Sequence, residues 1–492
     1  MENYAVGTVL VLAPHESWRA EHFENHSTRY QSTFLEALGP RPLAEGYDAE
    51  KKELRMSRWP RRDFLKASAI TSAAMAIGPV AKAAASERLQ VGCIGVGGRA
   101  AALLRGFSAH KECDVAMLCD VDTRKLPGAI EVVKQLKGTT PETVQDFRKL
   151  IDNKSLDVVV VGTPDHWHAI PTILACIAGK DVYVEKPDGH NIVEGQRMVA
   201  AMKKYGRIVQ MGTQSRSNKH FLSAMEYIRK GSLGHCLVAK AWESSKQSSI
   251  GRPPDSEPPE GVDYDLWLGP APKRPFNVRR FNGNWRWFFD YGTGDLGNDG
   301  VHRLDIARWA LSTALEAQGR PSLGLPRVIS AQGGHWYFDD MQEWPDTLQV
   351  TYEFAGTPCL LTYEMRVWNP YPYLGESEGA AVFGDQGYII IGNSGWRAFR
   401  GREQVAQDSG TYDESLHITN FIDCVKSRKK PNADLETVGH PSSVLCHAGN
   451  VAWRTGHRLV LDPTTETFEN DAEANALRTR PEYRKPYVLP EV

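Results

Sequence analysis

Absences narrow the chemistry of this chain before any motif is considered. None of its eight cysteines (Cys93, Cys113, Cys119, Cys176, Cys236, Cys359, Cys424 and Cys446) stands in a C-x-x-C pair. That spacing argues against a zinc site and against a dense disulfide framework, and leaves them as small core residues. The charge balance is almost nil, a formal net charge of −2 over 492 residues. It makes no electrostatic case for nucleic acid or an anionic membrane as partner. Charged residues at 24% and hydrophobic residues at 41% are ordinary for a soluble globular chain, long enough here for two or three domains.

The first conspicuous pattern is an address. Residues 56–85 read MSRWPRRDFLKASAITSAAMAIGPVAKAAA: a basic segment, a small weakly apolar run, and an A-x-A ending at Ala85. This is the layout of an export signal, and Arg61-Arg62 followed by Asp63, Phe64, Leu65 and Lys66 resembles the twin-arginine type. The apolar run is too short and alanine-rich for a membrane span. The resemblance implies the twin-arginine export machinery as a partner and a periplasmic or extracytoplasmic destination. Residues 1–55 precede the signal and are read as a start-site artefact or a disordered leader.

After Ser86 the texture changes. RLQVGCIGVGGRAAALLRGF is a short strand, a glycine turn and a helix opening, with Gly95, Gly97 and Ala100 in the G-x-G-x-x-G/A pattern. Glycines there let the backbone turn tightly and approach a pyrophosphate at a helix N-terminus. VAMLCDVD predicts a second strand ending near Asp120, 25 residues after Gly95. An acid at that place accepts hydrogen bonds from an adenosine ribose and repels a 2′-phosphate, favouring NAD over NADP. Buried strands follow at Asp157–Val161, DVYVEKP and RIVQMGTQSRS. Helices alternate with them, including one opened by Asn191 and Glu194 at capping-box spacing. This alternation predicts a parallel sheet covered on both faces, over 86–214. Ligands gather at the carboxyl ends of such strands. The awkward residues Asp120, Thr163, Pro164, Glu185, Lys186, Pro187 and Gln214 all sit there.

From Ser215 the chain becomes loop-like as far as Arg286, with GRPPDSEPPEG and LGPAPKRP. FFDYGTGDLGNDGVHRLDIARWAL then approaches a helix expected over Gly300–Leu311, where His302, Asp305 and Arg308 recur at three-residue steps on one face. Strand-like runs follow at Arg327–Phe338, Thr347–Phe354 and Pro358–Val367. Alternation around YGTGD and YIIIG predicts a largely antiparallel sheet. The expected division is therefore 86–214, 215–475, and a tail over 476–492.

Together the Gly95 turn, Asp120, TPDHWHA, EKP and GVHRLD, in that order, resemble the Gfo/Idh/MocA oxidoreductases from about Ser86 to about Arg454. The resemblance implies an α/β fold: an N-terminal Rossmann domain, then a C-terminal α/β domain whose open, largely antiparallel sheet carries the substrate site and often an oligomer interface. It implies NAD held by Gly95, Gly97, Gly98, Arg99, Asp120, Thr163, Pro164, His166, His168, Glu185, Lys186 and Gln214. It implies proton transfer at Lys186, a cis Lys186–Pro187 peptide, and contact of His302 and Asp305 with substrate; no metal is implied. The expected activity is nicotinamide-dependent oxidation of a sugar, polyol or glycoside hydroxyl. An NAD-dependent glycosidase working through transient oxidation is the alternative, and a non-catalytic sugar-binding protein the third reading.

Overall fold

The computed structural model describes residues 88–281 and 283–492; the leader and the export signal expected over residues 1–55 and 56–85 lie outside them. The nucleotide-binding region is one parallel sheet of β1 (Leu89–Ile94), β2 (Cys113–Cys119), β3 (Glu142–Val144), β4 (Val158–Val161), β5 (Asp181–Val184) and β6 (Val209–Met211). Its strand order is β3-β2-β1-β4-β5-β6, the doubly wound arrangement. Val158–Val161 and Asp181–Val184 are buried at every position, because helices cover both faces and the strands need no polar side. The order reverses between β1 and β4, so a crevice opens above their carboxyl ends. The helix Ile192–Tyr205 starts with a cap one residue longer than the expected box. Asn191 Oδ1 accepts from the Glu194 N–H at 3.0 Å, while Glu194 Oε2 accepts from the His190 N–H at 2.8 Å.

The second sheet has ten strands: β7 (Cys236–Glu243), β8 (Val328–Gly334), β9 (Thr347–Glu353), β10 (Leu360–Arg366), β11 (Glu378–Gly384), β12 (Tyr388–Gly392), β13 (Gly395–Arg400), β14 (Glu403–Ser409), β15 (Leu459–Asp462) and β16 (Thr467–Phe468). Their order is β14-β13-β12-β11-β7-β10-β9-β8-β15-β16. Every pairing is antiparallel except β7 with β10. β9 shows why one face is covered: Leu348, Val350 and Tyr352 are buried while Gln349 and Glu353 face out. The helices Val301–Ala317, Lys219–Arg229 and His440–Thr455 pack on the inner face.

Two expectations need correcting. YGTGD forms no strand; its glycines lead into a π-helical turn, Leu296–Gly300, that runs directly into the helix Val301–Ala317. The stretch read as loop to Arg286 contains β7, a central strand of the large sheet, and the helix Lys219–Arg229. The C-terminal region also packs back onto the nucleotide domain. Ile418, Phe421, Ile422 and Val425 of the helix Ser415–Ser427 share a core with Leu103, Phe107 and Tyr183 of the nucleotide domain. Edge-to-face contacts link Phe107, Tyr183 and Phe421. Residues beyond 475 return as well: Tyr483 Oη donates to Glu194 Oε1 at 3.0 Å, and Tyr487 packs edge-on against Trp167. Among the described residues no helix is long and apolar enough to cross a membrane.

Candidate active site

Above the β1/β4 switch point lies a cleft of about 340 Å³. Gly95, at φ +84°, closes the turn after β1, and a Cβ on it would stand 2.8 Å from the Gly162 carbonyl oxygen. Ala100 fills the third motif position, and a Cβ on Gly162 would meet its methyl at 2.6 Å, so the helix sits tight against the sheet. The helix Arg99–Ala109 begins at Gly98 with no side-chain cap. Ala100 and Ala101 N–H donate to Gly97 O and Gly98 O at 3.0 and 3.1 Å, and Gly97, Gly98 and Arg99 bring this positive end of the helix to the cleft wall. This is a cradle for an anion such as a dinucleotide pyrophosphate.

Asp120 stands at the opposite lip, buried, with Oδ2 accepting from the Val96 N–H at 3.0 Å and Oδ1 from the Asp122 N–H at 2.9 Å. A carboxylate has about four acceptor sites, so two remain for ribose hydroxyls. The sequence singles out Arg124 as the cation able to offset Asp120. The structure assigns that place to Lys125, because Arg124 is turned away onto Asp122 at 2.7 and 2.8 Å. Lys125 lines the cleft, lies across Gly97, and brings Nζ within 3.7 Å of Asp120. Asp120→Ala should therefore shift the NAD/NADP affinity ratio toward NADP by an order of magnitude or more, and Lys125→Ala should remove that gain. Fluorescence titration of both nucleotides checks this; NADP binding as tight as NAD in the unmodified chain would refute the role of Asp120.

Of the expected nucleotide residues, Gly95, Gly97, Gly98, Arg99, Asp120, Thr163, Pro164, His168, Glu185 and Lys186 line the cleft. His166 and Gln214 do not. His166 is buried below it, with Nδ1 against Tyr291 O at 3.2 Å and Nε2 against Trp267 O at 2.8 Å. Burial pushes its imidazole down to about 3. Gln214 Nε2 instead donates to Glu185 Oε1 at 3.2 Å, and Arg99 Nε grips the same oxygen at 3.0 Å. Arg99 also pairs with Glu414. His168 spans the motif, with Nδ1 2.6 Å from Pro187 O and Nε2 2.9 Å from Thr163 O.

Lys186 answers for the charge at the end of β5. The Lys186–Pro187 peptide is cis, and Nζ donates to the backbone oxygen of Asn298 at 2.7 Å and to its Oδ1 at 2.9 Å. Asn298 lies in the π-helical turn, a geometry that frees carbonyls from the helical ladder and recurs at functional sites. The next residues along that turn and helix, Asp299, His302 and Arg303, line a second, polar pocket of about 280 Å³ with Ser215, Asn393 and Tyr412. His302 is held well below the usual imidazole range by burial and then by the Lys186 charge, so it is neutral near pH 7.

Asp305, expected beside His302 at the substrate, lines neither the cleft nor the polar pocket. Its carboxylate is taken up by Arg216, Nε and Nη2 both at 2.8 Å, and by Ser442 Oγ at 2.7 Å. Arg216 in turn stacks on Trp309 at 4.4 Å. The three-residue step brings Asp305 one turn deeper into the core, where a buried carboxylate needs a cation. The far wall of the nucleotide cleft, Leu266, Trp267, Phe281, Trp285 and Arg286, was not anticipated. Its only signal is the aromatic density of DYDLWLG and NWRWFF within an otherwise loop-like stretch.

The comparisons with known proteins agree with this architecture. The model of the Gfo/Idh/MocA oxidoreductase family, NAD-binding Rossmann fold, matches residues 89–213, and that of its C-terminal alpha/beta domain matches 241–322 and 401–489. The chain belongs to this NAD-binding family. A Glycosyl hydrolase family 109 protein 2 of Shewanella sp. (strain ANA-3) is 29% identical over 210 residues, covering 38% of this chain and 46% of that one. Inositol 2-dehydrogenase of Rubrobacter xylanophilus is 29% identical over 162 residues, covering 32% of this chain and 44% of that one. The chain thus spans less than half the length of these curated relatives. Aldose-aldose oxidoreductase from Caulobacter crescentus, complexed with glycerol, superposes with a TM-score of 0.57 at 20% identity, over 76% of this chain and 100% of that one. The WlbA dehydrogenase from Bordetella pertussis, in complex with NADH and UDP-GlcNAcA, gives 0.56 at 18%, over 76% and 99%.

Proposed function

We propose that this chain oxidises a hydroxyl of a sugar, polyol or glycoside, with NAD held in the glycine-lined cleft. One observation carries the reading: Lys186 lines the nucleotide cleft while its ammonium is tied to Asn298, whose neighbours Asp299 and His302 line the polar pocket. A substrate that fills the pocket meets neutral His302, and a hydroxyl carried toward the nucleotide cleft would meet Lys186 there. Bound in the cleft, NAD supplies the hydride acceptor. In its deprotonated form Lys186 Nζ accepts the hydroxyl proton and becomes the ammonium, while neutral His302 accepts a hydrogen bond from a neighbouring substrate hydroxyl and so orients the ligand. The pocket is lined by a hydroxyl, a carboxylate, an amide and a phenol, groups suited to a polyhydroxylated ligand.

The matched glycosyl hydrolase relatives support a second reading, in which oxidation is transient, elimination cleaves a glycoside, and the nucleotide returns to its starting state. The test is to assay purified protein against free sugars, polyols and nitrophenyl glycosides while following nucleotide absorbance and products. Oxidised product with accumulating NADH supports the first reading. Glycoside cleavage without net NADH supports the second. Neither outcome, from protein that binds no nucleotide, overturns both.

The reading includes export through the Arg61-Arg62 signal. An exported enzyme has to carry its nucleotide with it, because free NAD is not available for exchange outside the cytoplasm. Stoichiometric NAD should therefore survive gel filtration of the mature form, and turnover should need none added. Protein that emerges empty and works only with millimolar NAD would contradict this.

A further inference from the structure

We propose that Glu243, Asp295, Asp299 and Tyr363 form a binding site for one divalent, oxygen-preferring cation such as Mg²⁺, Mn²⁺ or Ca²⁺. Ligand oxygens of the three acids lie within 4.8 Å of one another. Glu243 and Asp295 are buried, and Asp299 is partly buried. Glu243 Oε1 accepts from Ser245 Oγ at 2.8 Å, and Asp295 Oδ1 accepts from Asn298 Nδ2 at 3.3 Å. The other oxygens, Glu243 Oε2 and Asp295 Oδ2, find no donor among the described residues beyond the carboxyl–carboxyl contact of Glu243 with Asp295.

A separate side chain points to the same place. Tyr363, 1% exposed, has a hydroxyl with no hydrogen-bond partner among the described residues. A buried phenol usually finds one. It stands on β10 opposite Ala241 of β7, two residues before the position opposite Glu243, so both side chains project from the same inner face. The hydroxyl reaches Gly300, the residue after Asp299, where a Cβ would meet it at 2.7 Å. It feels the charges of all three acids.

Three crowded carboxylates are costly without compensation. Of the nearby cations, Lys186 is committed to Asn298 and Arg303 to Glu378 and Asn393, while Arg286, whose charge reaches Asp295, makes no ion pair with it among the described residues. Burial and then the Asp295 and Asp299 charges push Glu243 up; burial and then the Asp299 charge push Asp295 up to about 6, against its hydrogen bond with Glu243. Protons or a cation must therefore relieve the cluster, and the ligand set, three carboxylates and a phenol with no nitrogen or sulfur, selects hard divalent ions. Asp299 also lines the polar pocket, so a cation has open positions on that side and a path from solvent.

Chelator-stripped protein is titrated with Mn²⁺ by electron paramagnetic resonance, with Mg²⁺ and Ca²⁺ as competitors. One site of micromolar affinity is expected. Asp299→Asn and Tyr363→Phe, both checked for native circular dichroism, should each weaken it by about tenfold or more. Mn²⁺ that stays free at millimolar concentration overturns the proposal, as does binding unmoved by both variants. An infrared band of protonated carboxyl that disappears in Glu243→Gln, without metal uptake by the parent, also overturns it by showing that protons alone relieve the cluster.

Discussion

Lys186→Met should keep its fold and its bound NAD while turnover falls by about two to four orders of magnitude, the usual worth of positioned acid–base catalysis. The stem of lysine and the side chain of methionine have similar length, so the packing beside Pro187 survives. What disappears is the ammonium that donates to both oxygens of Asn298. Because Lys186 lines the nucleotide cleft and grips Asn298, next in sequence to Asp299 of the pocket lined by His302, the loss should fall on kcat more than on KM. His302→Asn, which retains a polar side chain in the pocket, should cost less. Steady-state kinetics on both variants, with bound nucleotide measured by mass spectrometry, decides between them. Near-normal turnover by Lys186→Met would make the lysine structural and pass the proton to His302.

The part of the site built from local backbone grammar was legible in the sequence. A glycine turn, an acid at the end of β2 and a lysine after β5 are each fixed by position along one strand, and the doubly wound order then gathers them. What depended on distant partners was not legible. Asp305 was matched to its helical neighbour His302, yet its cation, Arg216, comes from 89 residues earlier in the chain. His166 sits two residues from His168 in TPDHWHA, and only the carbonyls of Tyr291 and Trp267 decide that it faces the core rather than the cleft. β7 was lost in a stretch dominated by proline and glycine, although it lies between β10 and β11 in the large sheet. Its alternation is weak because Trp242 is buried on the outer face under Tyr373, alongside buried Ala241 and Glu243.

Alkaline pH should loosen the protein through a buried ion network immediately behind Lys186. Asp188, two residues on, is fully buried; its N–H donates to Ser443 Oγ at 3.1 Å, and its Oδ2 lies 2.7 Å from His440 Nδ1. His440 Nε2 lies 3.0 Å from Glu466 Oε2, so the ring bridges two carboxylates. His447 stands 3.8 Å from the other Asp188 oxygen. Gly195 permits the approach: a Cβ there would come within 2.3 Å of the ring and 2.4 Å of Asp188. Burial by itself would lower His440, but Asp188 and Glu466 overcome it and push the imidazole from 6.5 up to about 10. A group whose folded value is raised gives stability that is fully present below its unfolded value. That contribution is lost as pH rises through the folded value. The contribution of His440 should therefore be complete below pH 6.5 and fade toward pH 10. Asp188, held below its ordinary 3.8 because the two histidines outweigh its burial, sets the acid side: its contribution fades as pH falls below that value. His440→Gln leaves two carboxylates without their cation and should cost a few kcal/mol at pH 6.5, in the range for breaking a buried pair. At pH 10 wild type has lost most of the same interaction, so the two melting temperatures should converge. Melting curves for both proteins across that interval measure the gap, and a gap that stays constant from pH 6.5 to 10 would show that His440 is not an imidazolium in the folded protein.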